Sequence, residues 1–349
     1  MSKRAAGLVY FERWLDPVAE TILSGRPEIE LARLSYDDPI AETDARIRLA
    51  HGYQISPRTE LLGPWLGDRD LLAKCSNLLA ISSSGAGYDM VDVEACTAAG
   101  VLVCSQTGTN AAAVAEHALG MMLALAKKIA QSDKVMRRGG NLDRFGFGAT
   151  DLERKTVGIV GMGNIGGRTA VLCKAFGMKV IAYDPYLDAE AIAAKGAVKV
   201  ELDELLAQSD FVSVHCPRSD ETLGMFTREK FRKMKPSAYF INTARGGIHV
   251  EDDLADALTE GLIHGAGVDV FLSEPANPDH RLLAFENVVA SPHIAGMTDG
   301  ALYNMAAAAA DQWITIMNGG VPPRLVNPEA WPKYAERFQR LLGFAPAPL

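Results

Sequence analysis

Arg245, Glu274 and His293 each follow a short apolar run, at residues 239–242, 265–270 and 288–290. A guanidinium is always charged and grips a carboxylate through two parallel hydrogen bonds. An imidazole beside a carboxylate has its pKa raised and its tautomer fixed, so it stays protonated and donates to a forming alkoxide. A cation that holds a carboxylate and polarises the neighbouring ketone, together with a proton donor, supplies two of the three things that reduction of a 2-oxo acid requires. The third is a source of hydride. Taken singly, two of them also fit a bland role: Arg245 as an ion-pair partner at a strand end, His293 as a structural residue after Pro292.

The hydride source is suggested upstream. The run 156–160 leads directly into Gly161-Met162-Gly163-Asn164-Ile165-Gly166, and a helical segment follows. In such a fingerprint Gly161 permits a tight turn, Gly163 lets the backbone approach a pyrophosphate and Gly166 lets helix and strand pack closely. The helix N-terminus offers free amides to the anion, and Asn164 and Ile165 join the glycines as cofactor-binding candidates. Asp184 follows the next run, 179–183, at about the 20-residue offset expected of an acid that hydrogen-bonds the adenosine ribose. A carboxylate there repels a 2'-phosphate, so NAD is expected over NADP. The competing reading makes Asp184 a cap for the turn at Pro185, with Tyr186 a candidate to flank the adenine.

These residues need a scaffold that brings strand ends together. The runs 156–160, 179–183, 211–215, 239–242, 265–270 and 288–290 alternate with segments 168–176, 202–208, 228–234 and 252–258, whose apolar residues recur at helical spacing. Parallel strands need such crossovers, and ligands of the resulting open sheet bind outside its carboxyl ends. A looser pattern of the same kind, at 7–10, 78–81 and 101–103, predicts a smaller domain. Residues 111–129 predict a helix long enough to link the two, with Met121 and Met122 as packing residues. A second long helix, 303–317, stops at Asn318-Gly319-Gly320 and leads back to the first domain. The proline-rich tail from Pro322 carries Trp331, Tyr334 and Phe338 and is expected to pack. The expectation is therefore an α/β chain of two Rossmann-like doubly wound domains. The NAD-binding one, 118–298, is inserted into a discontinuous substrate-binding domain, 1–117 and 299–349.

The 349 residues exceed the usual size of one core. With 48% hydrophobic and 22% charged residues and a net charge of −8, the chain has neither a membrane-span run nor an overall basic field for nucleic acid. The start, Met-Ser-Lys-Arg, enters a charged segment and not an apolar one, so a cytoplasmic protein is expected. Cys75, Cys96, Cys104, Cys173 and Cys216 are widely spaced, which suggests buried thiols with no disulfide framework and no metal site.

Several motifs now fall in order: Val114-Ala115-Glu116-His117; Val157 through Gly166; His215-Cys216-Pro217 with Thr222; Asn242-Thr243-Ala244-Arg245-Gly246; Gly267-Val268-Asp269-Val270-Phe271 with Glu274-Pro275; and Ser291-Pro292-His293-Ile294-Ala295-Gly296. From about residue 81 to 296 the chain resembles the D-isomer specific 2-hydroxyacid dehydrogenases. The resemblance implies that Arg245 binds and polarises the 2-oxo acid and that Glu274 supports His293 as the acid/base. It further implies that Thr243, Ala244 and Asp269 contact the nicotinamide half of the cofactor, while His215, Cys216, Pro217 and Thr222 line the coenzyme and Ala295 is a further cofactor-binding candidate. The loop Ser84-Gly85-Ala86-Gly87 matches the one whose backbone amides bind the substrate carboxylate, and its closure toward Arg245 would exclude water. A homodimer is also implied.

Two departures bear on substrate choice and subunit contacts: residues 105–110 lack the proline usual after the family's Asn-Thr, and residues 141–150 lack its tryptophan. Glu274 stands where a formate dehydrogenase would have glutamine. Glyoxylate, hydroxypyruvate and 3-phosphoglycerate stay open as substrates, with Arg48, Arg58 and Arg218 as candidate phosphate ligands. A non-enzymatic NAD sensor, like the family's corepressors, is the alternative from another class.

Overall fold

The β-branched and apolar runs read above form two fully parallel sheets in the computed structural model, which describes residues 5–57, 60–139 and 144–349. The chain divides into two compact units, residues 1–110 with 299–349, and residues 111–298. Arg58, the first four residues and the start of the 141–150 segment lie outside the described residues.

The first unit contains β1 (Ala6–Phe11), β2 (Ile29–Leu34), β3 (Gly52–Ile55), β4 (Ala80–Ser83) and β5 (Leu102–Cys104), in spatial order β2-β1-β3-β4-β5. One face packs Leu8 and Tyr10 with Trp313, Trp331, Tyr334 and Phe338, so the tail helix Trp331–Leu342 completes this unit's core. The other face gathers Phe11, Ile47, Tyr53 and Trp65.

The second unit contains β6 (Thr156–Val160), β7 (Lys179–Tyr183), β8 (Val198–Lys199), β9 (Phe211–Val214), β10 (Tyr239–Asn242), β11 (Gly265–Val268) and β12 (Val288–Ala290). Their order is β12-β11-β10-β9-β6-β7-β8. Strands buried on both faces read as continuous apolar runs, and Val157, Ile159 and Val160 of β6 are almost wholly buried. Met121 and Met122 pack into one face with Ile159 and Ile241. Phe226, Phe231 and Phe240 fill the other. The Phe231 and Phe240 rings meet edge to face at 5.2 Å, a geometry that adds about 1 kcal/mol to their burial. Succession leaves β6 in two directions, toward β7 and toward β9, so the crevice between the carboxyl ends of β6 and β9 is a topological switch point, the place where such sheets bind ligands.

Four expectations are corrected. The helix expected over 111–129 ends at Ala126, because Lys128 takes φ +53° and a second helix, Ile129–Arg138, begins there. Residues 111–117, expected in the first unit, fold as the opening turns of that helix in the second. The runs 211–215 and 265–270 stop pairing at Val214 and Val268, where the chain turns out to carry His215 and Asp269 at the sheet edge. β2, β3 and the two-residue edge strand β8 had no counterpart in the expected strands.

Candidate active site

The glycine-rich turn follows β6 at the switch point. Gly161 has φ +93°, a left-handed conformation that strains any other residue. A Cβ on Gly166 would stand 2.0 Å from the Gly161 carbonyl oxygen, so only glycine lets the helix Asn164–Ala175 start so close to the strand. A Cβ on Gly163 would meet nothing within 4 Å. That glycine is thus not demanded by packing, and it leaves open the space beside amides at Asn164 and Ile165 that have no partner inside the helix. Asp184 accepts from the Met162 amide (2.9 Å) and the Tyr186 amide (3.0 Å). The carboxylate therefore holds the glycine-rich turn as well as capping its own. The Tyr186 ring is exposed, with its hydroxyl donating to Glu221.

Across the crevice, the His215 amide donates to the Val160 carbonyl at 2.8 Å, which brings His215 and Cys216 against Gly161. Burial pushes the His215 imidazole down to about 4 and the Cys216 thiol up to about 11, so both are neutral near pH 7. His215 Nε2 lies 2.9 Å from Ser213 Oγ, while its Nδ1 is buried without a partner among the described residues. Thr222 Oγ1 donates to the Pro217 carbonyl (2.6 Å) and shapes that loop. The Thr243 hydroxyl is likewise buried and unpartnered among the described residues. Unsatisfied buried groups cost about 1–3 kcal/mol each. The His215 nitrogen belongs to a residue packed against Gly161, beside the open glycine cradle, and fits a polar ligand such as a dinucleotide.

The catalytic candidates cluster at the ends of β10, β11 and β12. Buried Asn242 accepts from the Ala244 amide (2.9 Å) and donates to the Arg245 carbonyl (3.0 Å), setting the turn that projects Arg245. Arg245 Nη1 donates to the Ala244 carbonyl at 2.7 Å. His293 Nδ1 lies 2.8 Å from Glu274 Oε2, and Glu274 Oε1 accepts from the Phe271 amide at 3.1 Å. Burial acts to raise the Glu274 pKa, but the His293 ring, the Phe271 amide and the Arg245 charge outweigh it and hold the carboxyl below 4.5. Glu274 is thus an anion. It accepts from Nδ1, leaving Nε2 as the ring atom free for other chemistry.

His293 sits at φ +56°, a conformation sparsely used by non-glycine residues. Asp269, fully buried, enforces it: its backbone carbonyl accepts from the His293 amide (2.7 Å). Its carboxylate accepts from the Ile294 amide (2.9 Å), the Ala295 amide (2.9 Å) and the Ser291 hydroxyl (2.5 Å).

In the first unit, Ser84 is committed to the sheet: its amide and hydroxyl both donate to the Ile55 carbonyl, at 3.1 and 2.9 Å. The Gly85 amide reaches Ser83 Oγ at 3.3 Å. The Ala86 and Gly87 amides have no acceptor among the described residues.

Residues 119–295 match the family model described as D-isomer specific 2-hydroxyacid dehydrogenase, NAD binding domain. A glyoxylate reductase of Thermofilum pendens is 39% identical over 268 residues, 75% of this chain and 78% of that protein. The chain belongs to the D-isomer specific 2-hydroxyacid dehydrogenase family. A D-3-phosphoglycerate dehydrogenase of Archaeoglobus fulgidus is 39% identical over 257 residues, covering 74% of this chain and 48% of that protein. The chain therefore spans about half the length of such curated relatives. Among solved structures, a D-lactate dehydrogenase from Aquifex aeolicus, complexed with NAD and lactic acid, superposes with a TM-score of 0.78 at 28% identity, over 91% of this chain and 98% of that one. A nicotinamide cofactor follows from the family, and among the described residues no cluster of metal-ligating side chains occurs.

Within this dehydrogenase-family unit, three residues escaped the sequence reading. Asn242 and Ser291 were seen only as parts of motifs. Lys195 donates from Nζ to the Met162 carbonyl at 2.6 Å, so the Met162 peptide is held at both ends. Nothing in the spacing of Lys195 announces this, because the contact crosses from a helix 33 residues away.

Proposed function

We propose that the chain interconverts a small 2-oxo acid and the corresponding D-2-hydroxy acid, using NAD in preference to NADP. The Glu274–His293 pair at 2.8 Å carries the reading. A ring whose Nδ1 is held by an anion is poised to give a proton from Nε2 to a forming alkoxide, and to take it back in the reverse direction. Arg245 is the substrate cation, gripping the carboxylate and drawing electron density from the ketone. The Ala86 and Gly87 amides are further carboxylate ligands in this reading, and Ser84 and Gly85 support them. The reduced nicotinamide supplies the hydride. Gly161, Gly163, Asn164, Ile165, Gly166 and Asp184 would hold its dinucleotide. His215, Cys216, Pro217, Thr222, Thr243, Ala244, Asp269 and Ala295 would line the nicotinamide side. The preference for NAD rests on Asp184, whose charge opposes a 2'-phosphate.

Glyoxylate and hydroxypyruvate are the substrates to test first. Of the arginines considered for a phosphate, Arg48 is ion-paired with Asp44 at 2.6 Å. A homodimer is supported by the helix Ile129–Arg138, which buries none of its residues and exposes Ile129 and Met136. Light scattering tests it. A reducing, cytoplasmic setting is in keeping with five free cysteines, four of them buried. No helix among the described residues is long and apolar enough to cross a membrane.

The deciding experiment follows nicotinamide absorbance with a panel of phosphorylated and unphosphorylated 2-oxo acids, offered with NADH and with NADPH. Turnover is expected with NADH. Arg245→Ala and His293→Ala are expected to abolish it while NADH fluorescence titrations stay near wild type. Wild-type rates in either variant would sink the mechanism.

A further inference from the structure

The motif Val114-Ala115-Glu116-His117 has no part in the function proposed above, yet it places a second histidine beside the His293 loop. The helix Ala111–Ala126 carries His117 so that its Nε2 lies 2.9 Å from Ser291 Oγ. Ser291 Oγ in turn lies 2.5 Å from Asp269 Oδ1, and His117 Nε2 is 3.7 Å from the same oxygen.

Donor and acceptor rules fix the direction of this chain. Asp269 accepts from the Ile294 and Ala295 amides, and a carboxylate is acceptor-only, with no proton to offer. The single hydroxyl proton of Ser291 therefore points at Asp269. What Ser291 has left for His117 is a lone pair, so His117 Nε2 must carry a proton. The result is a directed relay, from Nε2–H to Oγ–H to Oδ1, that ends on the carboxylate holding the backbone of residues 293–295.

We propose that His117 is a positioning residue: its Nε2 proton locks the Ser291 hydroxyl onto Asp269 and so keeps His293 in its left-handed conformation. The proposal rests on the reading of His293 as the acid/base. Without a donor at position 117 the Ser291 hydroxyl is free to rotate away from Asp269, one of the three donors to that carboxylate is loosened, and the imidazole is presented less often in the productive pose. His117 touches neither substrate nor cofactor in this account.

Two side chains separate this role from simple helix packing. Glutamine sets an amide donor close to where Nε2 stands, and leucine keeps bulk without a donor. His117→Leu is expected to lower kcat about tenfold, the worth of one directed hydrogen bond, with KM for NADH within about twofold of wild type. His117→Gln is expected to recover most of that loss. Ser291→Ala is expected to lose as much as His117→Leu, and the double variant no more than either, because both act through one relay. Equal losses in the Leu and Gln variants, or losses that multiply in the double variant, overturn the proposal.

A second readout does not depend on turnover. Protein labelled with 15N-histidine is examined by long-range nitrogen–proton correlation at about pH 8.5, where an ordinary imidazole is neutral, and the His117 signals are identified by their loss in His117→Gln. Protonation at Nε2 is expected. Protonation at Nδ1 alone overturns the relay. If no 2-oxo acid is turned over by wild type, the proposed reaction fails, and the tautomer still decides whether the relay exists.

Discussion

The two loops that frame the candidate site are held by opposite means. The turn after β6 owes its shape to missing side chains: Gly161 at φ +93° and Gly166 with no room for a methyl group. The loop after β12 takes an equally uncommon backbone, φ +56°, at a histidine, and is held by one buried carboxylate with three donors on it. A ligand that must be approached by backbone is served by emptiness. A side chain proposed to exchange a proton cannot be glycine, so its strain, of about 1–3 kcal/mol, has to be offset by hydrogen bonds.

This contrast can be broken at four points, ordered here by expected loss of stability in urea unfolding. Gly166→Ala forces a methyl group onto a carbonyl oxygen 2.0 Å away and is expected to cost about 3 kcal/mol, with NADH binding lost in fluorescence titration. Asp269→Asn turns an acceptor-only group into one whose amide faces other amides, at an expected cost of about 2 kcal/mol; turnover should fall further than NADH affinity.

Glu274→Gln is expected to cost about 1.5 kcal/mol near pH 7. Because the folded protein holds the Glu274 pKa below 4.5, its contribution is present above that value and fades as pH falls through the lower folded pKa. Wild type and variant should therefore converge in stability once the pH has fallen through that lowered pKa, and a constant gap at all pH values would contradict the pairing. The smallest effect is expected at Gly163→Ala, whose methyl group meets no protein atom. Stability should stay within about 0.5 kcal/mol, while the Kd for NADH rises about tenfold or more. A stable variant with unchanged Kd would remove the turn from the cofactor site.

Much of the second unit was legible because its strands are buried on both faces. Residues 156–160, 179–183, 239–242 and 288–290 pair over the bounds that their apolar runs suggest. β3 was hidden because Gly-Tyr-Gln-Ile carries a polar residue in its middle. Gln54 is nevertheless 3% exposed, its side-chain oxygen accepting from Trp313 Nε1 at 2.6 Å. A partner 259 positions away leaves no trace in local periodicity. The pairing of Glu274 with His293 was foreseen from chemistry. The control that Asp269 exerts over His293 was not, since a buried carboxylate satisfied by amides looks in sequence like any other aspartate after a strand.

The return of residues 299–349 to the first unit has a temporal side. During synthesis β1 to β5 emerge before any of the second unit, yet Trp313, Trp331, Tyr334 and Phe338, which cover one face of their sheet, are translated only after it. The second unit, contiguous from 111 to 298, has all of its strands in hand while the first still shows an uncovered apolar face to the ribosome exit. The half that begins first must finish second, and a nascent chain stalled before residue 313 is where chaperone engagement should concentrate.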